Sequence, residues 1–313
     1  MNSELENILH EEEMRTSAEE AGVLEEAETH EEGEQIINGH HEEEAGHVAH
    51  ETSLAPEPVF YIGKFEVTNS LVNAWISVAL LIIFAVIISK KIKQVPRGLQ
   101  NFFEFILEGA LGVMDGVTHS RAKSMKFLPL VFSLFIFILI NNWLGIIPGV
   151  GTIGYTAMHS GHEVFIPYLR GSTADLNTTL ALALIAVIAA NIIGAVAVGV
   201  WKYLNKFVKI NDLIEIPKKI RKQPTIAIIN PIQFFVGLIE IISEIAKIFS
   251  LSFRLFGNIF AGEVLLASIA ALIAFVVPVP FYFLEILVGV IQALIFSMLT
   301  LVYLTVSTME EAH

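Results

Sequence analysis

Long apolar runs separated by short polar stretches dominate the chain after residue 57. No charged residue interrupts 71–89 (Leu71 to Ser89), 127–147 (Phe127 to Ile147) or 176–201 (Leu176 to Trp201). A fourth apolar stretch, 226–277, carries only scattered polar groups, and a fifth runs over 281–306 beyond Pro278 and Pro280. About 20 apolar residues in a helix span the hydrocarbon core of a bilayer. The pattern therefore predicts an all-α polytopic membrane protein with five crossings. The fourth stretch exceeds one perpendicular crossing. It predicts a long, strongly tilted helix, partly near the membrane surface, that forms a hairpin with the fifth around a turn at Pro278–Pro280. Leu99 to Val117 has apolar residues at helical spacing with Glu104, Glu108 and Asp115 between them, and reads as an amphipathic helix on the membrane surface.

Charge divides the chain in two. The whole has 313 residues and a net charge of −13, but residues 1–55 hold seventeen Glu against one basic residue, Arg15, leaving +3 on the rest. Residues 1–57 thus read as an acidic tail, and 58–313 as the membrane domain. The tail has too little apolar surface to offset its ordering entropy, so disorder is expected. Its histidines (His10, His30, His40, His41, His47 and His50) suggest metal capture or pH sensing less than a solvated tail. The first crossing has no signal peptide ahead of it and is expected to direct insertion itself.

Basic residues set the orientation. Lys90, Lys91, Lys93 and Arg97, then Arg121, Lys123 and Lys126, follow the first run, and Lys202, Lys206, Lys209, Lys218, Lys219, Arg221 and Lys222 follow the third. Arg170 is alone in the 148–175 connection. The tail is expected outside and the C-terminus in the cytoplasm.

Several chemistries are excluded. The chain has no cysteine, which removes thiolate metal sites, iron–sulfur clusters and cysteine nucleophiles. Gly149, Gly151 and Gly154 match a dinucleotide-loop spacing, but they follow an apolar run and Pro148 rather than a strand, so a glycine-rich external turn is expected. Gly257 to Gly262 has phosphate-loop spacing without the Lys-Ser/Thr pair. His159 and His162 are a weak metal candidate, Asn177-Thr178-Thr179 is an uninformative sequon, and no Ser/His/Asp arrangement stands out. No cofactor, metal or nucleic acid is expected. A solute transporter with inverted repeats is a rival, but no internal repeat is visible. An intramembrane hydrolase would need a nucleophile with a base in reach.

The informative feature is charge at lipid depth. Glu240, Glu244, Lys247, Arg254, Glu263 and Glu285 lie within 226–306. Such groups cost about 2.5–3.5 kcal/mol each on insertion scales and usually face a cavity or a partner. At 100° per residue, Lys247, Ser250, Arg254 and Asn258 fall within about 40° of one helix face. Glu240 lies ~21 Å before Arg254, and Glu263 ~13 Å beyond it, turned by about 180°. Glu244 and Lys247 can pair at i, i+3. Arg254 has no carboxylate at i±3 or i±4, so its partner must come from elsewhere. Glu285, Gln292 and Tyr303 share a stripe on the last helix.

Ser250 to Glu263 (SLSFRLFGNIFAGE) closely resembles the signature of the F-type ATP synthase subunit a family. Asn141 to Pro148 (NNWLGIIP), Thr173 to Thr179 (TADLNTT) and Gln292 to Tyr303 (QALIFSMLTLVY) resemble it too, in the family's order, across about residues 60–310. The resemblance implies that Arg254 is the essential cation facing the rotating ring of c-subunits, with Asn258 one turn on and Gln292 nearby on the last helix. It implies an outer proton pathway through Asp175, Asn177, Glu263 and Glu285, and an inner one past Glu240. Implied partners are the c-ring, the b subunits of the peripheral stalk and the soluble catalytic head. The implied location is an energy-transducing membrane, bacterial plasma membrane first. The acidic tail departs from the family's shorter N-termini and receives no role.

Overall fold

A computed structural model describes residues 56–90, 93, 98–159, 162–207, 226–273 and 276–309. The acidic tail to residue 55 and most of the second basic connection lie outside the described residues. The elements in chain order are β1 (Pro58–Ile62), β2 (Phe65–Thr68), α1 (Asn69–Lys90), α2 (Leu99–Thr118), α3 (Arg121–Ile146), β3 (Pro148–Gly151), β4 (Gly154–His159), β5 (His162–Pro167), a short 3-10 turn (Ser172–Ala174), α4 (Leu176–Val198), α5 (Val200–Phe207), α6 (Ile226–Leu272) and α7 (Pro278–Ser307). Five of these helices, α1, α3, α4, α6 and α7, are long and apolar enough to cross a membrane. The architecture is the all-α polytopic one that the apolar pattern predicts.

Helix α1 is inside out by soluble-protein standards. The buried positions of α1 are Asn69, Ser70, Asn73 and Ser77, whereas Ile82, Ile83 and Phe84 are exposed. Lipid is as apolar as leucine, so burying leucine gains nothing there. Polar groups turn inward because lipid offers them no partner. Ser77 Oγ accordingly donates to Asn141 Oδ1 on α3 at 2.9 Å, and Thr179 Oγ1 meets Ser252 Oγ between α4 and α6 at 3.2 Å.

Helix α7 is central, with α3, α4, α6 and α2 against it. Its Ala293 and Phe296 join Ile138 of α3, Ala183 and Ala186 of α4, and Leu251 and Leu255 of α6 in one apolar core. Asn142 of α3 links two neighbours. Its Nδ2 donates to Gly289 O on α7 at 2.9 Å, and its Oδ1 accepts from Thr173 Oγ1 at 2.6 Å.

Some boundaries differ from those expected. Helix α7 begins at Pro278 rather than 281, because a proline in the first helical turn lacks an N–H that would be unbonded anyway. Helix α4 stops at Val198, where Gly199 takes φ 101°, and a separate short α5 follows. Helix α3 starts at Arg121, so its first turns include the basic cluster. Helix α6 spans 47 residues, about 70 Å at 1.5 Å per residue, more than twice a ~30 Å hydrocarbon core.

The pattern missed two antiparallel hairpins, β1–β2 and β4–β5. They meet where Tyr155 Oη donates to Pro58 O at 3.0 Å and Asn69 Nδ2 to Pro167 O at 3.3 Å. The glycine-rich 149–154 segment is the bend into this cap, with Gly149 and Gly151 at positive φ.

Candidate functional site

Helix α6 has two chemically different flanks. One carries Leu251, Ser252, Leu255 and Ile259, all buried against the bundle. The other carries Ser250, Arg254, Gly257 and Asn258, all exposed. The Arg254 guanidinium is held only lightly, with Nη2 donating to Ser250 Oγ at 3.4 Å. Asn258 Nδ2 donates to Arg254 O at 2.9 Å, keeping its amide beside the same turn. Among the described residues no carboxylate forms an ion pair with Arg254. Its charge is presented outward at the middle of an apolar helix.

Near the capped end, α6 turns Glu263 the other way, into a cavity of about 490 Å³. Glu263, Glu285, Arg170, Asn142, Asn69 and Tyr282 are among its lining. Arg170, 6% exposed, donates from Nε to Glu263 Oε1 and Oε2 at 3.1 and 3.2 Å, and from Nη2 to Oε2 at 3.2 Å. Its guanidinium carbon lies 5.7 Å from the centre of the Phe260 ring, one turn before Glu263. Glu285 reaches the same place from α7. It is 4% exposed, and its carboxylate sits where a Cβ on Gly262 would be. Only glycine at 262 lets this acid rest on the α6 backbone.

The other end of the seam is also polar. Lys247 pairs with Glu244 at 2.5 Å, as the i, i+3 spacing suggests, and its Nζ lies 5.3 Å from the centre of the Tyr303 ring. Asn191 Nδ2 donates to Glu244 Oε2 at 3.3 Å, and Tyr203 Oη donates to Asn191. Burial, with Glu244 and Glu240 nearby, pushes the Tyr203 phenol up to about 12, so it remains a donor at neutral pH. Glu240 lies half-buried beyond this cluster.

These contacts fix the level of Gln292. Helices α6 and α7 run antiparallel, Glu285 against Gly262 and Tyr303 near Lys247. Seven residues on from Glu285, Gln292 is ~10 Å along α7, which sets it level with about Arg254. It is buried, 9% exposed.

Asp175 and Asn177 stand apart. Asp175 is 4% exposed and caps α4, with Oδ1 accepting from Asn177 N at 2.9 Å and Oδ2 from Ser70 Oγ at 2.7 Å. It borders the 3-10 turn but is not among the cavity's lining, and Asn177 is exposed. Arg170 is the residue of this cavity that sequence reasoning did not single out. Being the lone basic residue of the 148–175 connection was the available signal, and it served only to orient the chain.

Comparison with known proteins identifies the family. The family described as ATP synthase A chain matches residues 71–305. ATP synthase subunit a of Moorella thermoacetica is 30% identical over 255 residues, covering 81% of this chain and 96% of that protein. The protein of the same name from Syntrophobacter fumaroxidans is 33% identical, covering 83% and 92%. The one from Campylobacter jejuni subsp. jejuni strain 81-176 is 36% identical, covering 74% and 87%. Matched over most of its length by that family and by these relatives, the chain belongs to the ATP synthase A chain family.

Proposed function

We propose that this chain is the stationary proton conduit of a rotary ATP synthase, in which Arg254 separates two half-channels that open on opposite sides of the membrane. The ~490 Å³ cavity with Glu263 and Glu285 is the outer half-channel. The inner one passes Glu240, near the Glu244–Lys247 pair. A proton taken up outside neutralises a carboxylate on a neighbouring c-subunit, which can then turn into lipid at tolerable cost. After nearly a full rotation that carboxylate meets the inner half-channel and releases the proton. The membrane potential contributes about 2.3 kcal/mol per charge per 100 mV.

Arg254 does two things here. Its charge favours the ionised form of the passing carboxylate, so the proton leaves before the arginine is passed. It also raises the energy of any proton crossing directly between the half-channels. Arginine suits the position because it stays charged where a lysine could lose its proton. Gln292, level with it, and Asn258, one turn on, supply neutral hydrogen-bonding groups along the same track. Asp175 and Asn177, at the head of α4, follow Ala174 of the outer half-channel's lining and act on its approach rather than in its wall. The chain itself handles no nucleotide. Its partners are the c-ring, the b subunits of a peripheral stalk and the catalytic head, in a bacterial plasma membrane with the N-terminus outside and the C-terminus in the cytoplasm.

The observation that carries this reading is the division of α6 itself. One flank offers an exposed cation without an acid partner among the described residues, and the cavity a little over two turns further on collects carboxylates. Reconstituted complexes carrying E263Q, E285Q or both test the outer half-channel. The double variant is expected to take up protons more slowly than either single one under an applied voltage. Wild-type uptake in the double variant would refute the assignment.

A further inference from the structure

Of the two hairpins at the capped end, β1–β2 carries an apolar patch that the rest of the described chain leaves open. Its register pairs Phe60 with Val67, Tyr61 with Glu66 and Ile62 with Phe65. Directly paired residues point to one face of a hairpin, and successive residues to opposite faces. Phe60, Ile62, Phe65 and Val67 therefore share one face, and Tyr61 and Glu66 the other. Burial falls off along the apolar face from stem to tip: Val67 is 0% exposed, Phe60 43%, Ile62 58% and Phe65 60%. The stem is seated on the protein and the tip reaches past it. Gly63, at φ 66°, and the exposed Lys64 make the turn.

The mounting of the hairpin sets its level. Strand β2 runs into α1 without a break. Leu71 N donates to Thr68 Oγ1 at 3.4 Å, and Asn69 N donates to Glu57 O at 3.0 Å, so both strands are tied to the first turn of α1. Helix α1 has 22 residues, ~33 Å at 1.5 Å each, against a hydrocarbon core of ~30 Å. It has no length to spare, so the hairpin leaves α1 at the headgroup layer. The tip is only four residues, ~13 Å, beyond the helix. The next helical residues, Trp75, Ile76 and Val78, are already exposed to lipid, and the patch continues that surface. Aromatic and aliphatic groups beside a lysine suit this layer, where apolar groups meet the acyl edge and an ammonium stays among phosphates. Glu66, exposed on the opposite face, gives the hairpin a water side.

We propose that the β1–β2 hairpin is an interfacial anchor, with Phe60, Ile62 and Phe65 set into the headgroup–acyl boundary of the leaflet on the capped side and Lys64 among the headgroups. Its partner is the lipid surface itself. Glu57, just ahead of β1, is among the lining of the ~490 Å³ cavity, so the anchor holds one rim of that cavity at the membrane surface.

The chain has no cysteine, so single cysteines can be introduced and spin-labelled. Complete complexes carrying I62C, F65C or E66C, with reactive cysteines removed from the other subunits, are reconstituted into phospholipid vesicles. Collision of each nitroxide is measured with oxygen, which concentrates in lipid, and with a water-soluble nickel chelate. The oxygen-to-nickel ratio at I62C and F65C should be several-fold that at E66C, approaching the ratio at I82C on the exposed apolar side of α1. A ratio at I62C and F65C equal to that at E66C would leave the patch in water. Little collision with either reagent would put it beneath another protein surface, whether a neighbouring subunit or residues 1–55. Either result overturns the anchor. Should F65C fail to assemble, I62C, its cross-strand neighbour, decides.

Discussion

Replacing Gly262 by alanine perturbs the outer cavity without touching any charge. A Cβ at this position overlaps both oxygens and the Cδ of the Glu285 carboxylate, so the two cannot coexist as they stand. Relief has to come either from separation of α6 and α7 or from rotation of Glu285 off the α6 backbone. Separation opposes the core in which Leu255, Ile259, Ala293 and Phe296 meet. Rotation moves a single side chain, and is the cheaper route. Overfilling a well-packed site costs about 1–3 kcal/mol. If that cost falls on the position from which Glu285 accepts protons, uptake slows by roughly 5- to 150-fold. The assay is proton uptake driven by a potassium diffusion potential in vesicles, normalised to assembled complex. Gly112→Ala on α2 is the control, since a Cβ there meets nothing within 4 Å. Adding Glu285→Asp, one methylene shorter, should recover part of the loss. Normal uptake by Gly262→Ala, with Glu285 unmoved in its structure, would refute the reasoning.

Asp175 can be tested for its two roles separately. Asp175→Asn retains an N-cap for α4, whereas Asp175→Ala loses it at a cost of about 1 kcal/mol. The expected result is normal thermal stability but slowed uptake for Asp175→Asn, and loss of both for Asp175→Ala; normal uptake in Asp175→Asn would leave the residue a cap alone. Asn142→Leu removes the amide link to Gly289 O and leaves the buried Thr173 Oγ1 without its acceptor, at about 1–3 kcal/mol. It should lower the unfolding temperature of the detergent-solubilised complex, and an unchanged Tm would show that the buried bracket contributes nothing.

The crossings were legible because lipid imposes a simple rule: twenty apolar residues in a row have few alternatives. The Glu244–Lys247 pair was legible because helix geometry alone brings i and i+3 together. The opposition of Arg254 and Glu263 around α6 follows from the same geometry. The hairpins at 58–68 and 154–167 were not legible. Their strands are short, and their pairing depends on two turns and on contact with each other rather than on strict alternation. The Arg170–Glu263 pair was hidden for a different reason. The two residues are 93 positions apart, and only the packing of α6 against the 3-10 turn and the segment ahead of it brings them together. Asp175 shows the converse: a motif position suggested a pathway group, and its geometry adds a helix cap bonded to Ser70.

The direct measurement is on Arg254→Ala in a complete, reconstituted ATP synthase. ATP synthesis driven by an imposed proton gradient and ATP hydrolysis by the attached head are measured on the same vesicles. If Arg254 keeps the two half-channels apart, synthesis is abolished while hydrolysis persists. Undiminished gradient-driven synthesis without that guanidinium would contradict it.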